Sequence, residues 1–312
     1  MRARLPWLIL VALALLLAAL PLVANNYLLR LATTVCMYAV LAQSWNFIGG
    51  LAGYPSFATA AFFGAGAYTA AILQGYGAPM AVAWVCSGLV AMALAAVIGG
   101  AILHLRGHYF AIASLVVAEM LREIVNAMPD FAGGGKGLNL PILRLAVTAE
   151  AQFFFYVMLA LALICTASAI VVHHGKLGFG LRCIQQNEDA ASILGINAYA
   201  YKTAAFVLSA GFVGLAGAIY AAWVHYIEPS DVFDVLIALK PMVMVLLGGL
   251  GTIFGPALGA LILLAFEELV WRNLLTLHAA ALGVIIVALI LFMPNGIAAL
   301  VREQLARRSS AS

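Results

Sequence analysis

Ionisable side chains in apolar surroundings are the first candidates for chemistry in this sequence. Glu119, Arg122 and Glu123 fall in or near a predicted membrane span at 109–127, where an ionisable group is costly and marks a functional site by default. Glu119 and Arg122 are three residues apart and therefore share a helix face. We predict a structural ion pair that faces the bundle, because pairing lowers the cost of burial. The alternative is a role in a solute path.

Two histidine pairs, His104 with His108 and His173 with His174, raise the question of metal binding. No third or fourth ligand follows at a recognisable spacing, so we predict no metal site. The four cysteines form no close pair and are assigned no redox or metal role. The sequence contains neither a Gly-x-Ser-x-Gly nor a His-Glu-x-x-His motif. We therefore predict no catalytic residues and no cofactor.

The polar segment at 173–200 has residue types that suit docking to another protein. Read as a helix at about 100° per residue, it has one apolar and one polar face. The apolar face comprises Leu181, Ile184, Ala191 and Leu194. The polar face comprises Arg182, Gln185, Gln186 and Asp189. Gly195 is expected to end this helix, which either docks in a groove on a soluble partner or lies on the bilayer surface.

The elements around these residues are predicted to span a membrane. Hydrophobic residues make up 66% of the 312 residues and charged residues 9%, whereas soluble domains are about a quarter charged. A water-soluble protein is therefore excluded, and we predict an all-α bundle that forms one membrane domain over residues 1–312. The net charge of +3 is too small to indicate a nucleic-acid partner.

Apolar runs of about 20 residues predict roughly ten membrane helices, some of them broken or re-entrant. The predicted spans are 5–23, 28–48, 57–74, 80–103, 109–127, 153–172, 203–224, 235–247, 256–271 and 279–293. With the N-terminus inside, Lys and Arg gather in the cytoplasmic loops, so we predict that both termini are cytoplasmic. The first run is predicted to be a retained helix rather than a cleaved signal peptide.

Two interruptions break the apolar runs, one at 49–57 and one at 227–230. A helix broken at membrane depth frees backbone groups, so it is tolerated only where protein or a water-filled cavity surrounds it. We therefore predict a solute path near these interruptions, with Ser56 and Phe57 as candidate path residues. The dipeptide Pro-Ser occurs in both interruptions, as an inverted repeat would require. The alternative is coincidence.

Several blocks of the sequence together resemble the branched-chain amino acid ABC transporter permease family, which includes the LivM-type membrane subunits. In the polar segment the resemblance runs through Gly180-x-Arg182, Glu188-x-Ala190-Ala191-x-x-x-Gly195-Ile196 and Tyr201-Lys202. Further blocks lie at 55–57, 60–68, 105–112, 205–210, 214–218, 248–256 and 294–296. Their order and spacing carry the resemblance. The chain departs from it at Ala58-Thr59, where such permeases commonly have Gly-His, and at Gln185-Gln186, where charged residues are usual.

The resemblance implies the permease subunit of an ATP-binding-cassette importer, which moves branched-chain or other amino acids across the bacterial inner membrane by alternating access. It implies, besides membrane lipid, two cytoplasmic ATPase subunits, a homologous permease subunit and a periplasmic substrate-binding protein as partners. The segment 173–200 then becomes a cytoplasmic coupling loop. Its residues for ATPase coupling are Arg182, Glu188, Asp189, Ala190, Ala191, Leu194 and Gly195.

We expect ATP hydrolysis to occur on the partners, because this chain lacks a nucleotide site and is not itself an enzyme. A P-loop needs Gly-Lys followed by Ser or Thr, but Lys136 precedes Gly137 and Lys176 precedes Leu177. Similar permeases carry urea or short amides, and no residue decides among these substrates. An ion-gradient-driven secondary transporter is a rival function, although only the region of Glu119 could supply its ion site. A membrane-embedded enzyme or scaffold is the other rival.

Overall fold

Long apolar runs fold into helices along the whole of the chain that the computed structural model describes, residues 5–22, 24–143 and 146–273. The helices are α1 (Leu5–Ala18), α2 (Asn26–Trp45), α3 (Thr59–Gly75), α4 (Met80–Ile102), α5 (His108–Asn126), α6 (Pro129–Ala132), α7 (Val147–His174), α8 (Lys176–Gln186), α9 (Glu188–Ile193), α10 (Ala198–Val224), α11 (Pro229–Val232), α12 (Val235–Gly248) and α13 (Gly255–Asn273). Two-residue strands β1 (Leu138–Asn139) and β2 (Tyr226–Ile227) pair as an antiparallel ribbon. The predicted all-α bundle is confirmed.

Nine of the ten predicted spans coincide with one of these helices: α1, α2, α3, α4, α5, α7, α10, α12 and α13. The tenth, at 279–293, lies outside the described residues. Asparagine marks two of the helix starts, because the side chains of Asn25 and Asn197 accept hydrogen bonds from the backbone N–H groups of Leu28 and Ala200. Such caps satisfy backbone donors that the first turn of a helix leaves free.

In the described part of the chain, fewer helices are long and apolar enough to cross a membrane than the nine predicted there. Within the described residues, five segments are long and apolar enough, namely Leu5–Leu22, Asn26–Gly50, Met80–Ile102, Val147–His174 and Ala198–Val224. Helix α12 has 14 residues, about 21 Å at 1.5 Å per residue, against roughly 30 Å of hydrocarbon. Helix α5 carries the charges of Glu119, Arg122 and Glu123. Apolar composition therefore gave correct helices but overstated how many are full spans.

Helix α10 is the most buried of these five segments and packs against α3 and α4 through small residues. A Cβ atom added at Gly66 of α3 would lie 2.1 Å from the carbonyl oxygen of Gly214, and one at Gly217 would lie 2.1 Å from the carbonyl oxygen of Phe63. At these two points the backbones therefore meet without side chains between them. Close approach of this kind is how helices associate in a membrane, where lipid removes the hydrophobic driving force.

Helices α7 and α10 connect the two ends of the bundle. Helices α8 and α9 follow α7 and precede α10. We call the end of the bundle where they lie the loop end. The β1–β2 ribbon precedes α7 and follows α10, and we call its end the ribbon end. There His225 closes α10 in a left-handed conformation, with φ at 61°. Its Nε2 atom lies 2.6 Å from Glu150 at the start of α7, so the ribbon end is fastened by side chains as well as strands.

Both predicted interruptions are present. After α2 the backbone makes a π-helical turn at Asn46–Gly50, stays helical to Ala52 and has no regular secondary structure over 53–57. The side-chain amide of Asn46 donates to the carbonyl of Thr252 and accepts from the N–H of Gly251, both at 2.9 Å. These bonds satisfy backbone groups of the loop between α12 and α13. Within the interruption the carbonyls of Gly50 and Ser56 accept from the side chains of Gln185 and Trp45, so freed backbone groups find protein partners there too. The second interruption follows α10, where β2 and α11 precede α12. An inverted repeat relating the two interruptions stays a prediction.

Candidate functional site

The polar segment at 173–200 forms two helices, α8 and α9, so the single helix predicted across 181–194 is wrong. Asn187 separates them with an extended backbone, φ −163° and ψ 112°. Its side-chain oxygen accepts from the N–H groups of Asp189 and Ala190, both at 3.0 Å. Asn187 is therefore the N-cap of α9, and Glu188 and Asp189 lie in its first turn. The sequence Asn-Glu-Asp is a recognised helix-start signal that could have revealed the break.

The predicted apolar face is buried at three of its four positions. Leu181, Ile184 and Ala191 are nearly inaccessible, and they hold α8 and α9 against the bundle. Leu194 is 76% exposed and the neighbouring Ile193 is 88% exposed, which corrects the placement of Leu194 on the buried face. The reason is that α9 ends at Ile193, so the next residue leaves the helical pattern.

Gly195 ends α9 as predicted. Its φ is +83°, a left-handed conformation that glycine adopts without steric cost. The N–H of Ile196 donates to the carbonyl of Ala191 at 3.1 Å, and the N–H of Gly195 donates to that of Ser192 at 3.0 Å. This pair of bonds is the Schellman closure of a helix C-terminus. It turns the chain sharply and leaves Ile193 and Leu194 at the outer tip of the loop.

Glu188 is the centre of the loop's attachment to the bundle. Its Oε1 atom lies 2.8 Å from Nζ of Lys202 on α10, and its Oε2 atom accepts a hydrogen bond from the hydroxyl of Tyr54. The Lys202 side chain is 2% exposed and that of Glu188 is 16% exposed. A buried ammonium is strongly unfavourable without a paired anion, so Glu188 is required to compensate Lys202.

Tyr54 completes this cluster from the interruption between α2 and α3. Nζ of Lys202 lies 3.2 Å from the Tyr54 hydroxyl oxygen and 4.4 Å from the centre of its ring. The ring also makes an edge-to-face contact with Phe110 of α5, 5.5 Å between centres. Hydrogen bonding and a cation–π contact therefore act on the same ammonium. Sequence reasoning missed Tyr54 and Lys202 as site residues, since their side chains meet only in the folded chain.

The electrostatic surroundings keep Glu188 ionised. Partial burial by itself raises the pKa of the Glu188 carboxyl, since it penalises the charged form. Hydrogen bonds from Lys202 and Tyr54, with the positive charges of Lys202 and Arg106, act in the opposite direction and outweigh burial. The pKa of Glu188 is consequently below its ordinary value. A carboxylate anchor at the loop end is thus charged at any physiological pH.

Other residues of the predicted coupling set have different positions. Arg182 donates to the carbonyl of His173 at 3.1 Å and so ties α8 to the end of α7. Asp189 forms an exposed ion pair with Arg106, 3.0 Å between Nη2 and Oδ1. The side-chain amide of Gln185 donates to the carbonyl of Gly50 at 3.2 Å. The exposed tip of the loop is formed by Asp189, Ala190, Ile193 and Leu194.

Glu119 and Arg122 form the predicted ion pair, at 2.8 Å. Their side chains are 37% and 36% exposed, and the buried stripe of α5 is formed by Phe110, Ser114 and Ala118. The expectation that the pair faces the bundle is therefore wrong for this single chain. The pair lies outside the buried stripe, because helical spacing places residue 119 on the opposite side from residue 110.

Ser56 and Phe57 lie in the interruption, beside α5. The carbonyl of Ser56 accepts from Nε1 of Trp45 at 2.8 Å, and its hydroxyl accepts from the N–H of Ala58 at 3.2 Å. The N–H of Phe57 donates to the hydroxyl of Ser114 at 2.9 Å. These contacts hold the non-helical stretch in place. Among the described residues, no group of three or more His, Cys, Asp or Glu is arranged to hold a metal ion.

Comparison with known proteins places this chain in a family of membrane transport proteins. Residues 27–294 match the family described as branched-chain amino acid transport system, permease component, which covers most of the chain and every site residue named above. The chain belongs to this family. The resemblance inferred from the sequence blocks is therefore confirmed, and the chain is a transport permease of the membrane.

Individual branched-chain permeases are similar over nearly the full length. The permease protein LivM of the high-affinity branched-chain amino acid transport system of Escherichia coli K12 is 28% identical over 98% of this chain and 78% of its own length. LivM of Salmonella typhimurium LT2 is 28% identical over 97% of this chain and 77% of its own. LivH of the same Salmonella strain is 29% identical over 42% of each chain. No solved structure matches this member of the family significantly.

Proposed function

We propose that the chain is the permease subunit of an ATP-binding-cassette importer that carries branched-chain or other amino acids across the bacterial inner membrane by alternating access. The observation that carries the proposal is the division of the loop into a buried base and an exposed tip. The base is fixed by Glu188 and Lys202, and the tip presents Ile193 and Leu194 to solvent. Exposed apolar side chains beside polar residues are typical of a docking surface.

The tip is proposed to dock on a cytoplasmic ATPase subunit, one of a pair. Ile193 and Leu194 would enter an apolar groove, and Asp189 and Ala190 would lie at its rim. ATP-driven closure of the pair would move α8 and α9 and, through them, α7 and α10. In this proposal the loop end is cytoplasmic, both chain termini lie in the cytoplasm, and a periplasmic substrate-binding protein delivers solute at the ribbon end.

The exposed face of helix α5 is an argument for a second permease subunit as a partner. Val116 and Met120 are 59% and 48% exposed, and the Glu119–Arg122 ion pair lies beside them. Such a pair would be costly against lipid, so we propose that a homologous permease subunit covers this face. The solute path would then run along α5, near the pair. Lipid covers the remaining apolar surface, including a groove of about 250 Å³ between α4 and α10 that is lined by Gly88 and Gly211.

Two alternative functions carry different expectations. A permease for urea or short amides would share every feature above and differ in the solute that its binding protein selects. A secondary transporter driven by an ion gradient would act without an ATPase. The names of the relatives LivM and LivH, which refer to branched-chain amino acid transport, support the amino-acid reading. Binding measurements on the partner substrate-binding protein would separate amino acids from amides.

The docking proposal is tested by a charge placed at the tip. In the co-expressed complex, Ile193→Asp should release the ATPase subunits during purification and abolish ATP-dependent uptake into proteoliposomes. Ile142→Asp is the matched control, because Ile142 is 72% exposed but lies near the ribbon end. It should leave ATPase retention unchanged. Full retention in the Ile193 variant, or uptake by the chain alone, would contradict the proposal.

A further inference from the structure

The cluster around Glu188 touches two different parts of the bundle. Lys202 belongs to α10, which continues directly from the loop, whereas Tyr54 belongs to the interruption between α2 and α3. Tyr54 is 134 residues away from Glu188 in the chain. Contact with Lys202 alone would join the loop to the helix that follows it. Contact with Tyr54 adds a link to a separate element.

A second contact joins the loop to the same interruption. The side-chain amide of Gln185 donates to the carbonyl of Gly50, and a Cβ atom added at Gly53 would lie 3.1 Å from Cγ of Gln185. Gly53 has a φ of +74°, which places a sharp change of direction next to Tyr54. Helix α8 therefore contacts the start of the interruption, while α9 contacts its middle.

Lys202 makes these contacts interdependent. Its ammonium is buried and bound to both Glu188 and Tyr54. If α9 moved alone, Lys202 would lose its anion and keep only a neutral hydroxyl, which does not compensate a buried charge. A displacement of Glu188 must therefore be followed by Lys202 and by Tyr54. Residues 53–57 lie outside any helix, so a change of backbone shape there breaks no regular helical hydrogen bonds.

We propose that the Tyr54 hydroxyl is a positioning group that transmits movement of the loop into the interruption at 46–58, so that the conformational change opens this break rather than only tilting long helices. The proposal rests on the proposed function for its physiological purpose. The link itself is a property of this chain and exists without an ATPase. Tyr54 acts through Glu188 and the backbone beside it and is assigned no contact with solute.

The link is tested by a double-variant cycle on the full-length chain in lipid nanodiscs. Amide hydrogen exchange of the peptide covering 46–58 reports opening of the interruption. Tyr54→Phe and Glu188→Gln should each accelerate this exchange, roughly threefold or more, and the double variant should exchange no faster than the faster of the two single variants. Tyr54→Phe retains the ring and its contact with Phe110, so the fold is preserved. Tyr199→Phe, which alters an exposed side chain, is the matched control.

If the rate increases of the two single variants multiplied in the double variant, the link would be overturned. Unchanged exchange in Tyr54→Phe would overturn it as well. In the reconstituted complex, Tyr54→Phe should keep the ATPase subunits bound and hydrolysing ATP but lower solute uptake per ATP severalfold. An unaltered ratio would overturn the transmitting role. If the unmodified chain failed to bind the ATPase subunits, the docking proposal would be refuted. A non-additive exchange cycle would still establish the link within the chain.

Discussion

Glu188 and Asp189 are adjacent acidic residues with opposite surroundings. Glu188 is largely buried against Lys202 and Tyr54, whereas Asp189 is 75% exposed and pairs with an exposed arginine. Exposed ion pairs contribute little to stability, because water and salt screen them. Removing one member of a buried pair leaves an uncompensated charge. The two positions therefore give a matched comparison within one helical turn.

We expect Glu188→Ala to destabilise the chain by about 3 kcal/mol, since it leaves the Lys202 ammonium buried without an anion. Asp189→Ala should have no measurable effect. Thermal unfolding of the purified chain in mild detergent measures both. Equal effects of the two substitutions would show that the Glu188–Lys202 pair is solvated in the membrane protein.

The pKa of Glu188 gives a pH dependence with a definite sign. Because its folded-state pKa lies below the ordinary value of about 4.3, the unfolded chain binds more protons in this range, and stability rises with pH. The contribution is complete at neutral pH and is lost as the pH falls through the folded-state pKa. Acid unfolding curves should therefore be less steep below about pH 4 for Glu188→Gln than for the unmodified chain. Identical curves would contradict this assignment.

At the scale of elements, the contact between α3 and α10 depends on glycine at one position and not at another. A Cβ atom at Gly66 would collide with backbone, whereas one at Gly75 meets nothing within 4 Å. Gly66→Ala should therefore cost about 1–3 kcal/mol through overpacking, and Gly75→Ala should stay within about 0.5 kcal/mol of the unmodified chain. The measurement is the unfolding midpoint of each variant in detergent. Similar midpoints for Gly66→Ala and Gly75→Ala would show that α3 can move away from α10.

Helices were predictable from the sequence where one local rule dominates. Apolar runs of 20 or more residues gave α2, α4, α7 and α10, because such composition is stable only as helix in lipid. The break at Asn187 was missed because the apolar periodicity continues across it, and the capping signal was outweighed. Helix α12 was counted as a span although the predicted run at 235–247 is itself shorter than the roughly 20 residues that a span needs.

At the scale of the whole molecule, the partner proposed for the exposed face of α5 can be tested by crosslinking. We expect a photo-crosslinking amino acid at position 116 to attach this chain to its homologous permease subunit in the co-expressed complex. Val97 on α4 is 75% exposed and should, when replaced in the same way, yield no protein adduct. Mass spectrometry of the adducts identifies the partner. Crosslinking from position 97 alone would place the interface on α4.

The sequence predicted which loop holds the candidate site, but it did not predict which side chains meet there. Glu188, Asp189 and Gly195 were found because loop polarity and family blocks coincide there. Tyr54 and Lys202 could not be joined to them, since no periodicity relates residues so far apart in the chain. The Glu119–Arg122 pairing was predictable from helical spacing, but the direction it faces depends on how α5 packs, which only tertiary structure reveals.

The direct contact of the α3 and α10 backbones has a mechanical consequence. Two rods that touch at several points, through backbone at Gly66 and Gly217 and through the ring pairs Phe62–Phe206 and Phe63–Tyr220, resist bending together like one stiff beam. Strain imposed on either end of such a beam is expected to pass along it to segments outside the helices, among them the two interruptions. The bundle should therefore bend at segments between helices, while α3 and α10 move together as one rigid unit.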